Sequence, residues 1–149
     1  MNTLNGKCRV NDAVEYFKSG FYCSQAMLST YCGDLLDKDT AMKVSVGLAA
    51  GMGRLGATCG AVTGAYLVIG LRYGNCLAED KEAVEKTFSL VQEFDKRFKE
   101  KHGSTGCREL LGVDMLHGDQ TVAKERVKAL CPGLVKDAAE ILEDILRTA

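Results

Sequence analysis

The sequence has no tryptophan, one proline, two histidines and no long apolar run. With so little proline and no Ser/Pro-rich stretch, it contains no visible linker, so we expect a single domain over residues 1–149. The longest apolar stretch, residues 65–71, is far shorter than the roughly 20 residues that cross a bilayer, so no membrane segment is expected. Neither histidine has a partner at metal-ligand spacing, so neither is assigned a role.

An excess of charge of either sign is also missing. Nineteen basic and twenty acidic residues leave a formal net charge of −1, which removes the usual driving force for binding nucleic acid. The N-terminal segment, residues 1–8, has no apolar core of the kind that a signal peptide needs, so a cytoplasmic location is expected. A reducing cytosol disfavours a disulfide framework and turns attention to metal binding or redox chemistry for the seven cysteines.

The apolar residues recur at helical spacing throughout, and no segment alternates as a strand does. The sequence therefore predicts an all-α, single-domain helical bundle of about five to seven helices. The segment 60–72 is apolar nearly all round and is predicted to be the most buried helix, whereas 80–101 has one apolar face. Two further helices are expected to flank Pro132.

The glycines at 51, 53 and 56 match the letters of the dinucleotide-binding pattern GxGxxG. They follow a predicted helix, whereas that pattern requires a preceding strand, so no nucleotide cofactor is expected. A turn that approaches the cysteines is the better interpretation. Arg54 and Arg108 lie near Cys59 and Cys107 in the sequence and are candidates for lowering a thiol pKa or holding an anion, although solvent-facing arginines are the commoner case.

Four cysteines fall at predicted helix beginnings. Cys23 follows the break at Gly20, and Cys59 follows Thr58, a candidate N-cap. Cys107 opens a short helix, and Cys131 is itself a candidate N-cap because proline favours the first helical position. Unpaired N–H groups at a helix N-terminus stabilise anionic sulfur, so low thiol pKa values are expected at these sites. The remaining three, Cys8, Cys32 and Cys76, are expected to be incidental or to pack as small apolar residues.

The order of these residues is similar to a known pattern. Cys59, Gly60, Ala61 and Gly64 read CGAxxG, with Cys23 upstream and Cys107 and then Cys131 downstream. Over roughly residues 11–146 the chain resembles the redox-active protein family named for its C…GCAxxG…C…C pattern. The resemblance implies that these four are the family cysteines. A related cysteine domain occurs in split-Soret cytochromes, where it is associated with an iron–sulfur cluster. No Cys-x-x-Cys-His is present, so no haem is expected.

Three chemical interpretations remain open. Four thiolates are a complete ligand set for an iron–sulfur cluster, and a [2Fe–2S] cluster for electron transfer to a redox partner protein is the first choice, chiefly from the resemblance. Zinc is less favoured because closely spaced cysteine pairs are missing. The second interpretation is metal-free thiol–disulfide or persulfide chemistry at the same residues. The third is a non-enzymatic helical interaction module with structural zinc or incidental cysteines. A homodimer is possible in each case.

Overall fold

The computed structural model describes residues 7–149, which form an all-α fold with no β-strand. Residues 1–6, which contain most of the segment used for the cytoplasmic expectation, lie outside the described residues. The described part contains seven right-handed α-helices, so the predicted fold class is confirmed. The helices are α1 (Val10–Lys18), α2 (Cys23–Tyr31), α3 (Lys38–Val46), α4 (Gly60–Tyr73), α5 (Lys81–His102), α6 (Cys107–Leu111) and α7 (Gln120–Thr148).

Aspartate side chains fix where three of the helices begin. Asp37 accepts a hydrogen bond from the backbone N–H of Thr40 at 2.9 Å, and Asp80 accepts one from Ala83 at 3.1 Å. Asp119 accepts from the first turn of α7 in the same way. Each carboxylate satisfies N–H groups that have no partner within the helix, and its charge suits the positive helix end.

Helix α2 lies at the centre of the bundle and contacts α1, α3, α4 and α7. Eight of its nine residues are buried, against eight of fourteen in α4. The prediction that the segment 60–72 is the most buried helix is therefore wrong, although Val68 and Ile69 are completely buried. Helix α2 is short and enclosed on several sides, whereas the C-terminal part of α4 is only partly covered.

A buried carboxylate joins three parts of the fold. Glu143 of α7 is 1% exposed and accepts hydrogen bonds from the backbone N–H of Arg9 at 2.9 Å and from the hydroxyl of Tyr31. Its other oxygen accepts from Arg147 at 2.9 Å. Because a buried charge is costly without donors, these bonds hold the beginning of α1 and the end of α2 against α7.

Helix α7 runs through Pro132 without a break and is 29 residues long. The prediction of two helices flanking Pro132 is wrong. Proline cannot donate the helical hydrogen bond to the residue 128 carbonyl and costs about 3 kcal/mol in a helix interior. A buried apolar stripe on both sides of the proline outweighs this cost, since helices in proteins are stabilised chiefly by packing. The stripe comprises Ala123, Leu134, Val135, Ala138, Ala139, Leu142, Ile145 and Leu146.

Within residues 7–149, every helix is too short or too polar to span a bilayer.

Candidate functional site

Four of the seven cysteines line one small apolar cavity of about 40 Å³, and they are Cys23, Cys59, Cys107 and Cys131. Besides these thiols and the phenol of Tyr22, the cavity wall contains no ionisable side chain. The structure thus brings together the four residues that the sequence singles out. All four are free thiols, as are the other three cysteines.

The remaining three cysteines lie elsewhere. Cys8 and Cys76 are exposed. Cys32 is 1% exposed at the end of α2, where its thiol lies 3.7 Å from the carbonyl of Ser29. It is buried as deeply as the cavity cysteines but does not line the cavity, which makes it a matched control for them.

Two of the cavity cysteines are held side by side by backbone hydrogen bonds. The N–H of Cys59 donates to the carbonyl of Thr105, and the N–H of Cys107 donates to the carbonyl of Ala57, each at 2.7 Å. This isolated antiparallel bridge joins the segments that lead into α4 and α6. Cys59 is the N-cap of α4, a position expected for Thr58, and Cys107 is the first residue of α6.

The other two cysteines reach the cavity from different directions. Cys23 is the first residue of α2. Cys131 lies well inside α7, so its expected role as an N-cap is wrong. The partial positive charge of a helix N-terminus consequently acts at three of the four cysteines and not at Cys131.

A left-handed turn, Ala49–Gly53, forms another wall of the cavity, and the sequence did not reveal its handedness. Ala50, Gly51 and Met52 have φ values of 55°, 66° and 64°. At Gly51 a Cβ would lie 2.6 Å from the Cβ of Cys107, so this position combines positive φ with a close approach that no side chain fits. The two non-glycine residues carry a conformational cost of about 1–2 kcal/mol each. Such strain is concentrated at functional sites.

Burial raises the thiol pKa at all four cavity positions, contrary to the expectation from the helix N-termini. The pKa of Cys107 rises to about 11 and that of Cys131 to about 12, chiefly because burial penalises the thiolate and also because other cavity thiols lie near. Burial likewise raises the pKa of Cys23 and of Cys59. Removal from water therefore outweighs the helix field, and the reduced, metal-free site holds neutral thiols near pH 7.

Backbone N–H groups oppose this effect at two of the sulfurs. At Cys23 the backbone N–H groups of Ala50 in the left-handed turn and of Gly60 in α4 lower the thiol pKa in part. At Cys59 the backbone N–H groups of Ala61 and Val62, in the first turn of α4, likewise lower the thiol pKa in part. These donors favour negative charge on sulfur, so the site is equipped to stabilise it once a positive group compensates for burial.

The two arginines considered from the sequence do not act on the thiols. Arg108 forms an ion pair with Asp114 at 3.3 Å and packs over Gly56. Arg54 lines a separate cleft. Within residues 7–149, no three His, Cys, Asp or Glu side chains are arranged as a ready-made metal site. The four sulfurs surround a common cavity but do not yet converge on one point.

Comparison with known proteins gives one match. A family model described as "Putative redox-active protein (C_GCAxxG_C_C)" matches residues 21–145, which include all four cavity cysteines. The family pattern has Gly-Cys where this chain has Cys59-Gly60, while Ala61 and Gly64 match it in register. No curated protein and no solved structure matches.

Proposed function

Because the chain belongs to the C_GCAxxG_C_C family of redox-active proteins, we propose that its four cavity cysteines hold an iron–sulfur cluster for electron transfer. The observation that carries the proposal is that Cys23, Cys59, Cys107 and Cys131 line the same small apolar cavity. Four cysteine thiolates are the ligand set of [2Fe–2S] and [4Fe–4S] clusters. A [2Fe–2S] cluster is our first choice. This choice rests on the resemblance to the cysteine domain of split-Soret cytochromes, which is associated with an iron–sulfur cluster.

The size and chemistry of the cavity suit an inorganic group. Its volume of about 40 Å³ is far below the roughly 300–1,000 Å³ of pockets that bind organic ligands. Four soft sulfur donors and the lack of carboxylates in the wall favour iron–sulfur clusters or zinc over magnesium or calcium. Loading requires the four side chains to turn toward a common centre, since they do not form a ready-made metal site within the described residues.

The surrounding residues have separate roles in this proposal. The apolar wall, which includes Leu110, Leu111 and Leu134, keeps water from the sulfurs. The backbone N–H groups at Cys23 and Cys59 stabilise negative charge on ligand sulfur and so raise a reduction potential. A bound cluster supplies one-electron transfer, and its positive iron offsets the cost of burying thiolates.

A second candidate function is thiol–disulfide exchange without metal. It is favoured by the missing ready-made metal group in residues 7–149 and by the neighbouring positions of Cys59 and Cys107. In that reaction two thiols form one disulfide and lose two protons and two electrons. The electrons reduce the disulfide of a partner protein to two thiols, so atoms and charge balance. Attack needs a thiolate, and the raised thiol pKa values slow it near pH 7.

Anaerobic reconstitution with iron and sulfide distinguishes the two candidates. We expect stoichiometric iron and sulfide with visible absorption in the wild-type protein. Cys59→Ser should lose most of the iron, whereas Cys32→Ser, at an equally buried thiol outside the cavity, should retain it. Zinc content measured on the same samples tests the structural-zinc alternative.

The contrary outcome is equally clear. Iron far below stoichiometric in wild-type protein, together with reversible disulfide formation among the four thiols, would reject the cluster and support thiol–disulfide exchange. If Cys32→Ser loses as much iron as Cys59→Ser while both remain folded, the assignment to the cavity cysteines is wrong. Circular dichroism and thermal unfolding establish that the variants are folded.

A further inference from the structure

A half-open cleft of about 620 Å³ lies beside the cysteine cavity. Its volume falls within the roughly 300–1,000 Å³ of small-molecule pockets. The cleft and the cavity share part of their walls, so a molecule in the cleft lies one layer of side chains from the thiols. The shared residues are Phe17, Tyr22, Ala50, Met115 and Val127.

The charged residues of this cleft are all positive. Lys18, Arg54, Lys124 and Lys128 line it, and no aspartate or glutamate does. Among residues 7–149, none of these four cations forms an ion pair with a carboxylate. In a chain with a net charge of −1, such a one-sided group of cations around a concave site favours an anion.

The placement of these cations does not help the fold. Lys124 and Lys128 are four positions apart on α7, so they occupy the same helix face and repel one another. Arg54 follows the left-handed turn and itself has φ of 69°, a conformation unfavourable for a residue with a side chain. An anion in the cleft would relieve the repulsion between Lys124 and Lys128. It would also bind the guanidinium that the strained turn places there.

The rest of the cleft is suited to an apolar body. Phe17 and Tyr22 provide aromatic surface, and Tyr22 is 44% exposed. Ala123, Val127 and Pro132 of α7 provide an apolar side. We propose that this cleft binds a small aromatic phosphate, with the ring between the aromatic and aliphatic walls and the phosphate among the cations. The proposal does not depend on whether the cysteines hold a cluster.

Flavin mononucleotide is a suitable probe because it joins an aromatic ring to a phosphate, and its fluorescence reports binding to the full-length, metal-free protein. Riboflavin has the same ring without the phosphate, and inorganic phosphate has the charge without the ring. We expect riboflavin to bind about tenfold more weakly than flavin mononucleotide, and millimolar phosphate to compete poorly. Added salt should weaken the binding of flavin mononucleotide.

Paired double variants test the site itself. Lys124→Gln with Lys128→Gln should raise the Kd for flavin mononucleotide about tenfold. Lys43→Gln with Lys96→Gln changes the net charge equally at exposed positions outside the cleft and should alter the Kd less than about twofold. Failure of flavin mononucleotide to bind, equal affinity for riboflavin, or equal effects of the two double variants would each overturn the proposal.

Discussion

Gly60 and Cys23 lie so close that a Cβ on residue 60 would be 2.4 Å from the sulfur of Cys23. One turn later, a Cβ on residue 64, which is also glycine, would lie 2.7 Å from the Cβ of Met27. The two glycines of CGAxxG therefore form the face of α4 that packs on α2. The motif is thus a packing surface as well as a source of one thiol, because it brings Cys59 and Cys23 to the same cavity.

Gly60→Ala should displace the thiol of Cys23 and reduce iron loading after anaerobic reconstitution. The sulfur is at the end of a side chain and can rotate away, while the next contacts, to Ser24 and Leu48 backbone atoms, are 3.2 and 3.3 Å and tolerable. We therefore expect a folded protein that binds markedly less iron. The measurements are iron content and thermal unfolding on the same preparation.

Gly70→Ala is the matched control on the same helix. A Cβ at residue 70 has no neighbour within 4 Å, and alanine is the better helix former by about 0.5–1 kcal/mol. This variant should be slightly more stable than wild type and should load iron normally. Normal loading of Gly60→Ala would contradict the role given to the close approach at Cys23.

Much of the fold follows from the sequence because it depends on local patterns. Apolar periodicity gives the all-α class, and the helix predicted over 80–101 is observed as Lys81–His102 with Asp80 as its cap. Boundaries are less accurate: Cys59, and not the expected Thr58, is the N-cap of α4. Continuation of α7 through Pro132 depends on tertiary packing, which local rules do not include.

The site likewise has features that the sequence predicts and features that depend on the whole fold. The four cysteines that the sequence singles out line one cavity, but the left-handed turn at Ala49–Gly53 has no sequence signal beyond its closely spaced glycines. Thiol acidity was expected to follow the helix N-termini, whereas depth of burial, a property of the whole fold, decides it. The cationic cleft joins residues from three segments far apart in the sequence, 17–22, 50–54 and 115–132, and could not be seen as a local pattern.

Alkylation of the reduced, metal-free protein should report the raised thiol pKa values. With pKa values of about 11 and 12, Cys107 and Cys131 are almost entirely protonated at pH 8. Raising the pH below those values increases the thiolate fraction, so their rates should rise about tenfold per pH unit. Peptide mass spectrometry after timed iodoacetamide treatment should find exposed Cys76 modified first at pH 8.

The rate profile of Cys107 decides between burial and the helix field. If Cys107 reacts as fast as Cys76 at pH 7 and its rate is flat above that pH, the helix N-terminus controls its pKa. A steep rise continuing beyond pH 9 supports control by burial. Comparing slopes within one residue removes the effect of access, because access scales the rate at every pH alike.

Tyr31→Phe should lower the free energy of unfolding by about 1.5–3 kcal/mol. The Tyr31 hydroxyl donates to buried Glu143, and burial together with that carboxylate raises the Tyr31 pKa, so the donor proton is retained. Phenylalanine leaves the buried carboxylate with one donor fewer. Tyr73→Phe, at a partly exposed ring beside Lys86, keeps the ring contact and should change stability by less than about 0.5 kcal/mol. Urea unfolding measures both; equal effects would reject the role of this bond.

The left-handed turn yields a pair of opposite substitutions at adjacent residues. Ala50→Gly should raise the free energy of unfolding by about 1 kcal/mol, because glycine adopts φ of 55° without the cost that alanine bears. Gly51→Ala should lower it by a larger amount, since the new Cβ would combine positive φ with a 2.6 Å approach to the Cβ of Cys107. Urea unfolding of the metal-free proteins gives both values, and iron loading gives the consequence for the site.

Ala50→Gly retains the backbone N–H that lowers the pKa of the Cys23 thiol and should load iron normally, whereas Gly51→Ala displaces Cys107 and should not. A shift of both variants in the same direction would mean that positive φ at Ala50 and the close approach at Gly51 do not govern the stability of this turn.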